Sequence, residues 1–449
     1  MKGFSLLGLR SCLLVFLVFS FYSCRKDGAA LLPSNQLALI YDTSVITEWN
    51  STLETIEQAY GAYRPCPITT TVAYLGLANY ELCVPGMPEY RSIAGNYLGL
   101  DIPKSSDKQL IYWRLAINAC SATMLSKFFP KDIQKILETE TKLFNQYSAN
   151  LPDDLVKASI KRGREVAEAV FDFSKSDLFT FEGNLNTSPI YNVLQGDGYW
   201  KPTAPDFLPG KFPQWGKGRT FAAKNTDKTI DAPIAFSTDP NSAYYKQMLE
   251  VYQYSKNKTF DQKWIAEFWS DDIAGLSFSP PVRWFAIATQ VYNASNCTLQ
   301  KALVTNTKIG LALNDAAVAC WDNKYKYQTE RPITFIRKYI DPTWLSALTK
   351  DGITPNFPGY PSGHASFSGA AAEVLSYEFG TDFALIDRCH AGRTEFVSIP
   401  RPYTSFFQMA EENALSRIYL GVHVKMDADA GLDLGYKLGK SINSLPFGK

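Results

Sequence analysis

Histidine is scarce in this chain: three residues in 449, at His364, His390 and His423, so chemistry that needs an imidazole has only three addresses. No Cys-x-x-Cys pair occurs, which removes the usual zinc and dithiol redox motifs. Beyond the N-terminus no run of ~20 apolar residues is long enough to span a bilayer, so an integral membrane bundle is not expected. There is no excess of positive charge, with Lys+Arg 45 against Asp+Glu 44, and the basic footprint of a nucleic-acid binder is missing. Internal repeats, low-complexity tracts, haem or flavin fingerprints and convincing pairs of alternating strands are also lacking.

What is present is apolar and aromatic. At 46% hydrophobic and 14% aromatic residues, a chain of this length can build two or three helical layers or two domains around a large core. The first 23 residues stand apart. Lys2 and Arg10 precede the apolar run from Leu13 to Tyr22, followed by Ser23-Cys24. This pattern predicts a signal peptide of lipoprotein type, with Cys24 as the lipidated first residue, although Phe21 and Tyr22 are bulky for that box. The address implied is export, to the periplasm or to the outer membrane or cell surface, with the lipid anchor as the sole membrane contact. Cys66, Cys83, Cys120, Cys297, Cys320 and Cys389 remain, and their spacing selects neither a disulfide pairing nor free buried thiols. Oligomeric state is not legible.

Apolar spacing predicts helices over 37–59, 67–84, from a cap at Ser105-Ser106-Asp107 to Phe129, from Lys131 to Ser148, and from Pro152 to Phe173. Residues 178–240 carry Gly196-Asp197-Gly198, Trp200-Lys201-Pro202, Pro205, Pro209, Pro213 and Trp215-Gly216. They read as a long ordered loop that lines or lids a pocket or packs over the core. Helices resume at 242–256, 260–272 and 298–325. Pro332 starts another, and a last one runs from Gln408 to Ser441. The fold class is all-α, with an N-terminal helical region over 35–260 and a C-terminal helical region over 261–445 that carries the chemistry.

Three segments carry that chemistry. In Lys324-Tyr-Lys-Tyr-Gln-Thr-Glu-Arg331-Pro332 the two cations are seven residues apart and can approach one anion from two sides, an ammonium and a planar fork. In Pro361-Ser362-Gly363-His364, Ser362 and the Gly363 N–H sit at a helix start suited to an anion, and His364 is a candidate acid–base group. In Ser416-Arg417 through His423 to Asp427, His423 and Asp427 share a helix face, so the carboxylate can orient the imidazole. Arg417 and His423 differ in direction by about 120° on a regular helix, so either Arg417 reaches round or the helix is irregular before His423. Taken singly, each segment is an ordinary polar helix end.

Taken together, Lys-x6-Arg-Pro, Pro-Ser-Gly-His and Ser-Arg-x5-His-x3-Asp resemble the tripartite signature of the superfamily joining vanadium-dependent haloperoxidases to type 2 phosphatidic acid phosphatases and bacterial acid phosphatases. Trp321, Phe357 and the stretch Glu267 to Asp272 ahead of Pro280-Pro281 lean toward the haloperoxidases, with Asp272 matching the aspartate that braces the last arginine. The resemblance implies the helical bundle of that family and a cage of Lys324, Arg331, Arg417, Ser362 and Gly363 around vanadate. His423 would be the vanadate ligand, His364 the acid–base group, and Trp321, Phe357, Ser416 and Asp427 the supporting shell. It further implies oxidation of halide by peroxide, with Lys324 polarising bound peroxide. The alternatives are an exported acid phosphatase acting on phosphoesters through a phosphohistidine at His423, with no metal, and a non-catalytic oxyanion-binding relative. Trp269, Trp284 and Asp271 read as ordinary core or surface residues. His390, in a loop rich in Arg and Pro, reads as a surface histidine.

Overall fold

A helix that is apolar around its whole circumference has to be surrounded. The segment after Thr298 is such a helix: Leu303, Ile309, Leu313, Val318 and Trp321 point in different directions and all are buried. The computed structural model describes residues 38, 40–59, 64–104, 109–181, 191–272 and 275–448. In chain order the helices are α1 (Ser44–Ala59), α2 (Cys66–Cys83), α3 (Trp113–Phe128), α4 (Ile133–Ser148), α5 (Asp153–Ser174), α6 (Leu178–Phe181), α7 (Asn225–Lys228) and α8 (Ala243–Lys256). They continue with α9 (Phe260–Phe268), α10 (Pro280–Ala294), α11 (Leu299–Tyr327), α12 (Pro332–Tyr339), α13 (Gly363–Phe379), α14 (Phe406–Tyr419) and α15 (Lys425–Asn443). The fold is all-α, as expected. Among the described residues the one small exception is an antiparallel ladder of β1 (Leu385–Asp387) and β2 (Arg401–Tyr403), with Leu385 opposite Tyr403.

The central helix α11 packs against α2 on one side and α13 on another; α3 joins α2 to α4 and α5, while α14 and α15 cover α13. The α13–α15 crossing is close because small residues face each other. A β-carbon on Gly435 would stand 2.4 Å from the Ser366 carbonyl oxygen, and one on Gly431 2.6 Å from that of Ser362. This approach lets the Ser362 amide donate to the Asp427 carbonyl at 2.8 Å, joining the start of α13 to the first turn of α15.

The expected helix from 408 to 441 is two helices. Gly421 takes φ +80, and the amides of Val422 and His423 both turn back to the Arg417 carbonyl at 3.1 and 3.3 Å. A left-handed glycine of this kind ends α14. His423 therefore precedes α15, and Asp427 is an N-terminal capping side chain that accepts from the Val424 amide at 3.3 Å. Similarly, α11 ends at Gln328 in the left-handed region, φ 48, and Arg331 caps α12 instead of extending α11. The expected helix 260–272 stops at Phe268, the one expected over 37–59 begins at Ser44, and α3 begins at Trp113. Residues 105–107, proposed as its cap, and residues 1–24, read as signal and lipidation site, lie outside those described. Among the described residues no helix is long and apolar enough to cross a membrane. The six cysteines from Cys66 to Cys389 are free thiols.

The aromatic loop is laced to α11. The Asp315 carboxylate accepts the amides of Phe221, Ala222 and Ala223 at 2.7 to 2.9 Å. The Trp200 amide donates to the Gln328 carbonyl at 2.6 Å, and Trp200 and Trp215 are buried. Since α13 and α15 touch through backbone at Gly435, Gly435→Ala is expected to lower stability by about 2 kcal/mol, as overpacking does. Gly95→Ala, where a β-carbon meets nothing within 4 Å, serves as the control. Urea unfolding that gave the same midpoint for both variants would refute the close-packing account.

Candidate active site

The starts of α10 and α13, the end of α14, Trp321 of α11 and the loops beside them line one hollow of about 350 Å³. Its walls include Gly363, His364, Arg417, His423, Asp272, Trp321 and Phe357. Helix ends meet here because only ends carry N–H and C=O groups not consumed within the helix.

His423 is held from both sides. Its Nδ1 faces Asp427 Oδ2 at 2.9 Å, and its Nε2 receives Arg331 Nη1 at 3.0 Å. A carboxylate at Nδ1 keeps the proton there and leaves the lone pair on Nε2. Burial, reinforced by Arg331, Lys324 and Arg417, lowers the His423 pKa well below the ordinary value, so the ring is neutral. Arg331 also donates to the carbonyls of Phe357 at 3.0 Å and Val422 at 2.8 Å. Phe357 lies under both cations, with the Arg331 guanidinium 5.0 Å and the Lys324 ammonium 5.3 Å from its ring centre. Trp321 meets the Phe357 ring at 5.0 Å.

Arg417, in the last turn of α14, reaches the same hollow. Its Nη2 pairs with Asp272 Oδ2 at 2.7 Å, the brace expected from sequence. Burial acts to raise the Asp272 pKa, but Arg417 and His364 outweigh it and the net shift is downward. His364 Nε2 is 3.7 Å from the same oxygen, beyond hydrogen-bond reach. Burial and the Arg417 charge pull His364 down to about 3. Ser362 caps α13 through its hydroxyl, which accepts from the Ala365 amide at 3.4 Å.

Two expected site residues are placed differently from the sequence reading. Lys324 directs its ammonium to the carbonyls of Pro358, Gly359 and Pro361 at 2.8, 2.8 and 2.6 Å, so it braces the strand that delivers Ser362. Burial lowers its pKa, yet three carbonyl acceptors require the protonated form. Ser416 donates to the Asn413 carbonyl at 2.6 Å, within its own helix.

His390 is buried, 2% exposed, contrary to the surface position read from its polar loop. Phe278 stacks on the ring at 5.3 Å and Phe396 meets it edge-on at 5.0 Å. Its Nε2 contacts Arg283 Nη1 at 2.8 Å, and Arg283 pairs with Asp271 at 3.2 Å and Asp387 at 2.9 Å. Asp271 is thus part of a buried ion cluster directly behind Asp272, and its side chain also reaches the wall of the hollow. Sequence reading also missed Arg64, Leu208 and Lys211 on that wall. No motif marks them; the Pro and aromatic composition of the loop pointed only to order.

Whether an oxyanion suits this hollow can be judged from its buried polar atoms. Arg331 Nη2, Arg417 Nη1 and Nε, and His364 Nε2 are buried with no hydrogen-bond partner. Donors without acceptors call for an oxygen-rich anion. Among the described residues no cluster of three or more His, Cys, Asp or Glu could hold a bare metal cation. The residues therefore fit vanadate or phosphate, and not a free metal ion.

The shift of His364 sets a pH dependence. Between the unfolded value near 6.5 and the folded value of about 3, the unfolded chain holds a proton that the folded chain does not. Stability is therefore lost as pH falls through that window. In denaturant titrations from pH 7 to pH 4, His364→Gln is expected to flatten the fall by as much as one proton, about 1.4 kcal/mol per pH unit. An unchanged slope would place the His364 pKa elsewhere.

A family model described as the VCPO second helical-bundle domain matches residues 305–445. The vanadium chloroperoxidase of Curvularia inaequalis is 26% identical over 285 residues, which cover 49% of this chain and 47% of that protein; the match thus spans about half the length of that relative. A crystal structure of a bacterial vanadium-dependent iodoperoxidase superposes with a TM-score of 0.81 at 27% identity, covering 90% of this chain and 96% of that one. A holo-type bacterial vanadium-dependent chloroperoxidase shares the fold with a TM-score of 0.67 at 15% identity, over 87% of this chain and 95% of that one. The chain is thus similar to vanadium-dependent haloperoxidases, over its C-terminal helices in the family model and over most of its length in the fold.

Proposed function

We propose that this protein is a vanadate-dependent haloperoxidase that oxidises halide with hydrogen peroxide. The observation that carries the reading is the group of unpartnered donors on Arg331 and Arg417, with the unpartnered His364 Nε2, beside an imidazole whose Nε2 lone pair is fixed by Asp427. Likeness to a bacterial iodoperoxidase across most of both chains supports it. The exported, lipid-anchored address read from residues 1–24 belongs to the same proposal.

Arg331, Arg417 and the first amides of α13, at Gly363 and beyond, would hold the vanadate oxygens, with His423 Nε2 facing the central atom. Bound vanadate supplies a Lewis-acidic centre that activates peroxide without changing oxidation state. Arg331 can release Nε2 and keep its bonds to the Val422 and Phe357 carbonyls. Asp427 keeps the Nδ1 proton in place throughout. His364 is neutral before an anion arrives; a negative charge nearby favours its protonated form, so Nε2 can take up and return a proton. Asp272 orients Arg417 and offsets part of the repulsion between Arg417 and a protonated His364. Lys324 fixes the Pro358–Pro361 backbone and must give up a carbonyl before touching an anion oxygen.

With orthovanadate and peroxide the purified protein is expected to oxidise bromide or iodide. His423→Ala is expected to lower kcat by roughly 10³-fold or more with unchanged far-UV circular dichroism. Phosphomonoester hydrolysis that vanadate inhibits, without halide oxidation, would replace this reading with the acid phosphatase. Inactivity in both assays would leave an oxyanion-binding relative.

A further inference from the structure

The hollow is larger than a tetrahedral oxyanion needs. A volume of about 350 Å³ falls in the range of small-molecule sites, and an anion of five heavy atoms leaves most of it free. Toward the mouth the apolar side chains Leu208, Leu348, Ile353 and Pro355 share the wall with Lys211, Thr349, Thr354 and Asn356, with Phe357 and Trp321 behind them. Around it Phe207 is 64%, Leu208 49% and Ile353 38% exposed, which leaves apolar surface at a mouth that leads to charged groups.

This collar is built from two loops tied to each other. Thr203 and Thr354 share a hydroxyl contact of 2.9 Å, Asn356 donates to the Pro209 carbonyl at 2.9 Å, and the Lys211 amide donates to the Asn356 carbonyl at 2.9 Å. The second loop is tied to the site as well, since the Ala347 amide donates to the Leu420 carbonyl at 2.8 Å and Leu348 packs with Leu420 and Val422. Phe207 and Phe212 hold left-handed backbone, φ 48 and 58, on either side of Leu208 and Lys211. Bulky residues adopt that conformation only where surrounding contacts enforce it.

Lys211 is the one charge in this outer part that no carboxylate pairs among the described residues. Its carbonyl is fixed by Tyr325 Oη at 2.6 Å and Trp321 Nε1 at 3.3 Å, and its side chain lines the hollow. Lys211 is exposed at the mouth, and burial of the part of its side chain against the wall lowers its pKa. Trp321, Phe357 and Phe367 pack on one another in the wall of the hollow.

We infer that the collar binds the organic acceptor, an electron-rich one-ring aromatic bearing an acidic group, with its ring against Leu208, Ile353 and Phe357 and its anionic group on Lys211. The fate of that ligand rests on the haloperoxidase reading. Hypohalous acid formed at the cage passes X⁺ to a ring carbon, the C–X bond forms as the C–H proton leaves, and that proton joins the released hydroxide as water. Binding itself does not depend on turnover.

The test therefore uses vanadate-free, full-length protein titrated by calorimetry with 4-hydroxyphenylacetate and with its methyl ester. The acid is expected to bind more tightly than the ester. Lys211→Met should weaken the acid by roughly tenfold and leave the ester unchanged, while Lys211→Arg retains the acid. Leu208→Ser combined with Ile353→Ser should weaken both ligands. Equal affinity for acid and ester, an acid affinity indifferent to Lys211→Met, or no binding to the unaltered protein would each overturn the inference. Absence of halide oxidation in the same preparation would instead count against the proposed function.

Discussion

Three cations, Lys324, Arg331 and Arg417, are fully buried at or behind the wall of one hollow, and among the described residues two carboxylates, Asp272 and Asp427, face them. Burying an ion costs several kcal/mol unless its charge and its hydrogen bonds are both met. The chain meets much of the hydrogen bonding with backbone carbonyls, three to Lys324 and two to Arg331. Carbonyl dipoles carry no net charge, so one positive charge is left over, together with donors on Arg331 and Arg417 that find nothing. The folded chain therefore carries a local cost that an anion removes, and the same cost gives that anion its binding energy.

This requirement shapes the backbone. Carbonyls and amides not consumed within a helix lie in loops and at helix ends, so the fold has to bring these, and not helix faces, to the cage. It does so with two left-handed residues, Gln328 and Gly421, and with the glycine contacts that draw α15 onto α13. The break after α14 also removes the 120° conflict between Arg417 and His423: once the helix stops, both point to the same hollow. The His423–Asp427 pair is then a contact across the start of α15, where the carboxylate also caps the helix. One side chain fixes a tautomer and a helix terminus together.

The three segments that form the cage were legible because residue type and spacing both constrain them: cations before Pro332, a serine cap before Gly363, an imidazole four before Asp427. Most helices were legible from apolar spacing. Their ends at the site were not, because periodicity continues through a left-handed residue that stops the helix; Gly421 was the available signal. Lys324 was assigned to the anion by its spacing from Arg331 and by the resemblance, and only coordinates reveal three carbonyls within reach. His390 was misread because loop composition reports the neighbours in sequence, while burial is decided by Phe268, Phe278 and Phe396, all remote from it or five or more residues away. Lys211 and Leu208 lie in the loop read as ordered, and proline-rich composition says that a loop is ordered without saying which side chains it presents.

The His390 cluster bears on what the cage can accept. Arg283 faces two carboxylates, Asp271 and Asp387, beside a neutral imidazole, so that cluster has a surplus of negative charge. Asp271 and Asp272 are consecutive and divide between the clusters, one pairing with Arg283 and the other with Arg417. The surplus behind the cage offsets part of the positive surplus within it, and Asp271 acts on His364 in that sense. Charge at a distance cannot, however, supply an acceptor to an N–H that points into the hollow. A single halide could balance the remaining charge but would offer one centre to donors arriving from α11–α12, α13 and α14. An oxyanion offers several oxygens in different directions, so the unmet hydrogen bonds, more than the unmet charge, select a tetrahedral anion for this site.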